Sequence, residues 1–350
     1  MIEIDGSMGE GGGQVLRSAL SLACLTGQGF RIFNIRKNRE KSGLMRQHLM
    51  AVQAAARIAS ANVAGDRLGS PELSFLPDGI QPGEYGFDIG TAGAATLVLQ
   101  TLIPPLASAR KTSRVMVTGG THVPFSPSWH YFSEIFWPCI GTLGISGEPL
   151  FRSIGFYPKG GGRIGCSVEP EAVPGSMTSL ERGRLTGIRI VSAVGNLPRS
   201  IADRQLQAAL SVLRGKVERG IPMDIEVIEP QVFGQGSFIF IKGRYDRGTA
   251  GFTALGERGK PAELVGNEAA LEFLAHHENG APIDPHLADQ LVIYLARARG
   301  RSVFRTSRIT RHLTTNLTVA SLFLELSSSI DGREGEPGTV TITPPLETGG

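Results

Sequence analysis

The sequence predicts an α/β or α+β fold that is built from repeated units. A glycine-rich or polar turn followed by an apolar segment of helical periodicity occurs three times, and short alternating segments typical of strands lie between the copies. With 350 residues, 41% of them hydrophobic, the chain can bury a sizeable core as one large domain or two. The irregular succession of strands and helices favours a layered sandwich of repeats over a single wheel of βαβ units.

The three copies of the turn and helix are widely spaced along the chain. The turns cover 9–14, 90–93 and 312–316, and the helices are predicted over 15–25, 95–106 and 317–326. In the first helix the apolar residues Leu16, Ala19, Leu20 and Ala23 recur three and four positions apart, as on one helix face. Alternating apolar residues predict strands over 30–35, 114–117 and 165–168.

A compact block with a different pattern of predicted strands and helices begins near Leu185. Its patterns predict a strand, a helix, two strands and a second helix, over 186–194, 202–213, 223–228, 237–242 and 262–277. Segments rich in proline, glycine and serine bracket it at 174–176 and 280–282. We therefore predict a small α/β domain at 185–280, inserted into a large domain that comprises 1–184 and 281–340. The chain ends in a polar tail, 341–350, which overlaps the end of a last strand predicted at 339–343.

Composition narrows the class of protein only slightly. A formal net charge of +3 is compatible with a polyanionic substrate, but it is far below that of a nucleic-acid coat protein. Three cysteines without metal-type spacing favour a reducing compartment. The first residues lack the pattern of a signal peptide, and no segment has the roughly 20 apolar residues that span a bilayer. A soluble, cytoplasmic protein without a membrane partner is the resulting expectation.

Glycine is unusually abundant, with 46 residues, and two clusters precede or follow regular elements. The first, 9–13, opens an apolar helix, where backbone amides favour anions and glycine lets a phosphate approach. A plain tight turn is the alternative, but Glu10 is suited to a divalent metal, and Arg17 follows one helical turn later. The second cluster, 160–162, is interpreted as a bend at a strand entry, with Lys159 at most a peripheral phosphate contact.

Two further segments carry candidate chemistry. The basic segment 36–41 is either a solvated loop or a grip for phosphate, chiefly through Arg39 with Gln47. His312 stands near a predicted helix start among threonines, with three arginines just upstream. A lone histidine is usually structural, yet this setting suits a neutral imidazole that attacks phosphorus while cations and helix amides stabilise the developing charge. No serine-hydrolase, zinc-protease or Cys–His motif competes with it.

The order of the motifs is more specific than any one of them. Along the chain stand Glu-Gly-Gly-Gly-Gln-x-x-Arg, Gly-Leu-x-Arg-Gln-His, Gly-x-Ala-Gly, Leu-Val-Leu-Gln, Phe-Tyr-Pro-x-Gly-Gly-Gly, Ala-Leu-Gly-Glu-Arg-Gly-Lys-Pro-Ala-Glu, Ala-Asp-Gln-Leu and His-x-x-Thr-Asn. From Ile4 to about Leu326 this series resembles the RNA 3′-terminal phosphate cyclase family. The resemblance implies three repeated α/β units related to the enolpyruvyl transferase fold, with a small inserted α/β domain.

The resemblance also implies a ligase-type enzyme that uses ATP and Mg²⁺ or Mn²⁺ on RNA with a 3′-terminal phosphate. A histidine takes AMP from ATP, AMP passes to the RNA 3′-phosphate, and the vicinal 2′-hydroxyl then displaces AMP to give a 2′,3′-cyclic phosphate. Position by position, the implied nucleophile is His312 and the implied metal ligand is Glu10. The implied nucleotide contacts are Gln100, Pro127, His286, Asp289 and Gln290, and the implied phosphate or RNA contacts are Gln14, Arg17, Arg39 and Gln47.

The sequence departs from the family pattern at a few positions. His286 stands where a tyrosine is expected to stack on adenine, and an imidazole offers a smaller surface. His122 and His130 replace residues that are usually acidic or amide, and Ile154 replaces a basic residue. These positions bear on nucleotide selectivity and leave the nucleophile intact.

Two alternatives stand beside this interpretation. One is the catalytically silent, nucleolar cyclase-like branch of the family, which acts in ribosome assembly; it lacks the histidine nucleophile, whereas this chain has His312 and Glu10. The other is a metabolic enolpyruvyl transferase, a class that needs no covalent histidine and for which the expected arginine and lysine constellation is missing.

Overall fold

Three α/β units share one strand arrangement. The computed structural model describes residues 1–9, 11–171 and 173–345. Each unit is a four-stranded sheet in which the first two strands are parallel, the second pairs antiparallel with the fourth, and the fourth pairs antiparallel with the third. A helical segment connects the first strand to the second, and another connects the second to the third. The predicted α/β fold of three repeated units is confirmed.

The first unit extends to Leu76. Its elements are β1 (Ile2–Asp5), α1 (Gly13–Thr26), β2 (Phe30–Phe33), α2 (Arg46–Ile58), β3 (Asn62–Ala64) and β4 (Leu73–Leu76). The helix predicted over 15–25 is confirmed as α1, and nine of its residues are buried. It ends at Gly27, whose φ of 70° lets its N–H donate to the Ala23 carbonyl at 2.9 Å.

The second unit follows directly and contains a π-helical turn between two short α-helices. Its elements are β5 (Glu84–Asp88), α3 (Ala95–Ala107), β6 (Ser113–Gly119), α4 (Trp129–Tyr131), a π-helical turn (Phe132–Phe136), α5 (Trp137–Thr142), β7 (Gly147–Ser153) and β8 (Gly162–Val168). The strands predicted over 114–117 and 165–168 lie within β6 and β8, which pair antiparallel. The predicted helix over 95–106 is α3.

The third unit is divided in the sequence. Its elements are β9 (Thr178–Ser179), α8 (Pro285–Gln290), α9 (Val292–Leu295), β14 (Ser302–Thr306), α10 (Arg311–Phe323), β15 (Ser327–Asp331) and β16 (Gly338–Thr343). The helix predicted over 317–326 begins earlier, at Arg311, because the Thr310 side chain caps it by accepting from the Leu313 N–H at 3.1 Å. The 312–316 turn is therefore helical, which places His312 on α10 itself.

A separate sheet is inserted between β9 and α8. Its elements are β10 (Leu185–Gly195), α6 (Ser200–Leu213), β11 (Met223–Ile228), β12 (Gly236–Tyr245), β13 (Gly248–Leu255) and α7 (Ala262–Asn279). The sequence analysis missed β13, which pairs antiparallel with β12 at the edge of the sheet. Residues such as Ile190, Ile241 and Phe273 form a core of their own beneath α6 and α7. This core supports our proposal of an inserted domain at 185–280.

The helices of the three units pack against one another. Helix α1 contacts α2, α3 and α10, so that one large core is shared by all three sheets. Burial of this much apolar surface is the main stabilising contribution to such an assembly. Within the described ranges, none of the helices has the length and apolar character needed to cross a membrane. Residues of α1, α3, α8 and α10 line a pocket that opens beside β13.

Candidate active site

A pocket of about 470 Å³ lies where the three units and the inserted sheet meet. Its walls come from α1, α3, the loop at 123–128, α8 with α9, and the start of α10, and β13 of the inserted sheet closes one side. Eight of the eleven residues assigned to the site in the sequence line it: Gln14, Arg17, Gln100, Pro127, His286, Asp289, Gln290 and His312. Helix packing thus brings together side chains that are up to about 300 positions apart in sequence.

His312 is held at the start of α10 by its neighbours. It is half-buried in the first turn, at the positive end of the helix dipole, two residues after the capping Thr310. Thr315 lies one turn further, and a Cβ on Gly9 would collide with its Oγ1. Gly9 also has a φ of 59°, which glycine adopts most readily. The N-terminal glycine turn therefore rests directly on the helix that carries His312.

The start of α1 is shaped for an anion. Its N-cap residue, Gly12, provides no side-chain cap, so the first backbone amides of a 14-residue helix are available to a ligand. Arg39 covers this end, with Nη2 3.5 Å from the position that a Cβ on Gly12 would occupy. Arg17 lies one turn further, in the pocket wall. Burial lowers the pKa of Arg17 to about 10 although Asp289 opposes the change, so its guanidinium stays charged at neutral pH.

Two amide side chains are hydrogen-bonded across the pocket. Gln100 on α3 donates through Nε2 to Oε1 of Gln290 on α8 at 2.8 Å. Each amide keeps further donors or acceptors for a ligand because a primary amide has two N–H groups and a carbonyl. The pair joins the second unit to the third across the pocket, and both members were assigned to nucleotide binding in the sequence.

Asn316 connects three helices around the pocket. Its Oδ1 accepts from Ser18 Oγ on α1 at 2.6 Å, and its Nδ2 donates to the Asp289 carbonyl on α8 at 2.8 Å. All three residues are buried. Asn316 lies one turn after His312, so it fixes α10 relative to the two helices that supply Arg17 and Asp289. The sequence analysis quoted this asparagine within a motif but gave it no role.

Helix α8 is fixed by a buried carboxylate. Asp284 Oδ1 accepts from the His286 and Leu287 amides at 3.0 and 2.9 Å and from the Tyr131 hydroxyl at 2.8 Å. Burial raises the pKa of Asp284. The Tyr131 ring meets His286 edge-on, with 6.2 Å between ring centroids. His286 is thereby held at the pocket by the cap of its own helix and by a buried aromatic ring.

Three assigned residues are not among those that line the pocket. Gln47 accepts through Oε1 from the amide of Ala94, the N-cap of α3, at 2.8 Å, so its carbonyl orients the helix that carries Gln100. A phosphate contact by Gln47 would have to use Nε2. Arg39 lies at the outer side of the α1 start, as described above. Glu10 falls outside the described residues.

The unusual histidines at 122 and 130 belong to the packing behind the pocket. His122 Nε2 and His130 Nδ1 lie 2.9 Å apart, and the His122 ring stacks on Phe238 of β12 with centroids separated by 4.1 Å. Burial lowers the pKa of His130 to about 4 and that of His122 well below its usual value, so both are neutral at pH 7. They connect the second unit to the inserted sheet and do not line the pocket.

Carboxylates that could assist a divalent metal are few among the described residues of the pocket. Asp289 and Glu272 are the two, and no group of three or more metal-type side chains exists in the described ranges. Mg²⁺ that is held mainly by phosphate oxygens needs only one or two protein carboxylates. The donor set is therefore compatible with a metal that enters with a polyphosphate, and Glu10 remains the predicted ligand.

A half-buried imidazole, a half-buried arginine, a helix start without a side-chain cap and a bridged amide pair together suit an enzyme that acts on anionic, phosphate-bearing ligands. A sequence profile described as RNA 3′-terminal phosphate cyclase matches residues 8–330. The chain belongs to this family. Residues of several of the ordered motifs, such as Gln14, Gln100, Asp289 and His312, line this same pocket.

Close relatives support the assignment over the full length. The RNA 3′-terminal phosphate cyclase of Methylococcus capsulatus is 43% identical, with 97% of this chain and 95% of the relative covered. Those of Koribacter versatilis and Methanosarcina barkeri are 44% and 42% identical, with 95% and 96% of this chain and 93% and 98% of the relatives covered. Among solved structures, the enolpyruvyl transferase NikO from Streptomyces tendae has a TM-score of 0.34 at 10% identity, covering 94% of this chain and 46% of that one. That similarity is too low to support an inference.

Proposed function

We propose that the protein converts an RNA 3′-terminal phosphate into a 2′,3′-cyclic phosphate at the expense of ATP, through a covalent histidine–AMP on His312. Cyclisation of an RNA 3′-phosphate is the reaction class of the family to which the chain belongs. The observation that carries the finer proposal is the convergence of His312, Arg17 and the Gln100–Gln290 pair on one pocket.

The chemistry requires activation because a phosphate monoester has no good leaving group. In the first step the imidazole of His312 attacks the α-phosphorus of ATP; a P–N bond forms, and the bond to pyrophosphate breaks. An oxygen of the RNA 3′-phosphate then attacks the same phosphorus and releases the imidazole. Finally the 2′-hydroxyl attacks the 3′-phosphorus, AMP leaves, and the hydroxyl proton is lost to solvent. Each displacement is an in-line phosphoryl or nucleotidyl transfer that depends on positioning and charge stabilisation.

The residues of the pocket divide this work in our proposal. Arg17 and the amides at the α1 start stabilise negative charge on the transferred phosphate. Gln100 and Gln290 orient the nucleotide, with Pro127, His286 and Asp289 around the base and ribose. Arg39, beside the α1 start, and Gln47, through its Nε2, hold the RNA phosphate. Mg²⁺ or Mn²⁺, bound with ATP and held by Glu10, would neutralise the polyphosphate during attack.

Covalent labelling tests the proposal directly. After incubation with α-labelled ATP and Mg²⁺, we expect label on the protein through a bond that is stable to base and labile to acid, as a phosphoramidate is. The His312→Gln variant should carry none. The matched control is His277→Gln, a histidine of α7 that does not line the pocket, and it should label as the wild type does. Equal labelling of His312→Gln and wild type, or none in wild type, would reject the covalent mechanism.

A second measurement separates labelling from the overall reaction. Labelled enzyme is supplied with an oligoribonucleotide that ends in a 3′-phosphate, and the end is tested for resistance to phosphatase. We expect the label to leave the protein as AMP and the end to become resistant. If the label stays on His312 in the presence of this RNA, the acceptor is a different molecule and the RNA step of the proposal is wrong.

A further inference from the structure

One residue of the pocket has a conformation that its own packing does not explain. Phe125, in the loop at 123–128, is fully exposed at 102% of the reference area, yet it lines the pocket. Its backbone has a φ of 61°, in the left-handed region that bulky residues other than glycine rarely adopt. An apolar ring held in water by an unfavourable backbone indicates a contact made with a ligand.

The loop that presents Phe125 is anchored on both sides. Ser126 Oγ donates to the Val123 carbonyl at 2.9 Å, and Thr96 Oγ1 donates to the Pro127 carbonyl at 2.8 Å. The hydroxyls of Ser128 and Thr253 lie 2.8 Å apart and join the loop to β13. Pro124 and Pro127 fix their own φ angles as well. The ring is therefore exposed on a rigid support.

Among the residues that the structure describes, the pocket has no other accessible aromatic face of comparable size. Among the described residues that line it, Tyr131, Phe136 and Tyr294 are buried, at 3%, 1% and 3% exposure. His286 is exposed, but it offers only the smaller imidazole ring, which meets Tyr131 in a T-shaped contact. Flat nucleobases stack on six-membered aromatic rings more extensively than on imidazole.

We propose that Phe125 stacks on the adenine of ATP and supplies the aromatic surface that His286 provides only in part. This inference rests on the proposed function, and it goes beyond it by assigning nucleotide affinity to a residue outside the motifs of the sequence analysis. Phe125 lies two residues before Pro127 on the same anchored loop, and both residues line the pocket. The contact is to the base alone, and the polyphosphate is bound elsewhere, by α1 and Arg17.

Equilibrium binding on a non-reacting background tests this. The His312→Gln variant prevents turnover, and binding of labelled ATP to it is compared with binding to His312→Gln combined with Phe125→Ala. We expect the Kd for ATP to rise on the order of tenfold, equal to about 1.4 kcal/mol. Phe125→Tyr should bind ATP within about threefold of the parent, because the ring is kept. Phe233→Ala, which removes a ring of 85% exposure that does not line the pocket, is the matched control and should have no effect.

Competition by inorganic tripolyphosphate distinguishes the loss of a contact with the base from a general disruption of the pocket. It lacks a base, so its competition with ATP should have the same inhibition constant in the parent and in the Phe125→Ala variant. A parallel loss of tripolyphosphate affinity, an unchanged Kd for ATP, or no ATP binding to the parent would each overturn the inference. If wild type binds ATP in this Phe125-dependent way but is not labelled by it, the covalent mechanism fails while the stacking assignment survives.

Discussion

Replacement of Asn316 by alanine tests whether the three helices around the pocket depend on one side chain. The amide makes two buried hydrogen bonds, from Ser18 Oγ at 2.6 Å and to the Asp289 carbonyl at 2.8 Å. Asn316→Ala leaves both partners buried without those bonds, and an unsatisfied buried polar group costs about 1–3 kcal/mol. We therefore expect the free energy of unfolding to fall by about 2–4 kcal/mol.

Thermal and chemical unfolding measure this change. For 350 residues the unfolding entropy is about 0.7 kcal/mol/K, so the midpoint should fall by about 3–5 °C. The rate of self-adenylylation should also fall, on the order of a hundredfold, since a shift of about 1 Å between α10 and α8 misaligns the nucleophile. Thr318→Ala, which removes an exposed hydroxyl on the same helix, is the matched control and should change neither quantity appreciably.

A double-mutant cycle with Ser18→Ala locates the effect. Because each single substitution leaves the other partner unpaired, the double variant should lose about 1 kcal/mol less than the sum of the two. Additive losses would show that the Ser18–Asn316 contact contributes nothing of its own. An Asn316→Ala protein with wild-type stability and wild-type labelling rate would refute the assignment of Asn316 as a positioning residue.

The remaining predictions concern charge. The folded-state pKa values of His122 and His130 are lowered, to about 4 for His130, so stability should decrease as pH falls from about 6.5 toward 4, by up to about 1.4 kcal/mol per pH unit for each histidine. In urea unfolding, His130→Gln should reduce the dependence of the unfolding free energy on pH. An unchanged pH dependence would show that His130 does not cause it. Arg39→Ala should raise the KM for 3′-phosphorylated RNA more than it slows self-adenylylation. Equal losses in both steps would contradict the proposal that Arg39 binds the RNA phosphate. Glu10→Ala should raise the Mg²⁺ concentration needed for half-maximal labelling, a prediction that fails if the metal dependence matches wild type.

The regular elements were predictable where one pattern dominates. Helix α1 and strand β10 follow from uninterrupted helical or alternating apolar periodicity, and their observed ends differ from the prediction by one or two residues. Strand β13 was missed because Gly248 and Gly251 weaken the strand signal, although it pairs along its whole length with the largely buried strand β12. The start of α10 was placed too late because Thr310 was not interpreted as an N-cap.

The site was predictable as a set of residues but not as an arrangement. Which residues line the pocket followed largely from the family motifs, whereas what each one touches did not. Gln47 shows this: its carbonyl accepts from the α3 N-cap amide, a contact that depends on how α2 meets the second unit. His122 and His130 were linked to nucleotide selectivity in the sequence, yet they pair with each other behind the pocket. Such contacts depend on packing between units, which no local pattern encodes.

The hydrogen bond between Ser18 and Asn316 joins residues 298 positions apart. During synthesis α1 leaves the ribosome long before α10 exists, and the face of α1 that contacts α10 must wait for nearly the whole chain. Contacts of such separation are slow to form because a long loop must close before they stabilise anything. The pocket is therefore among the last parts of the molecule to assemble, and a chain that is cut short before α10 would lack the nucleophile of the proposed mechanism.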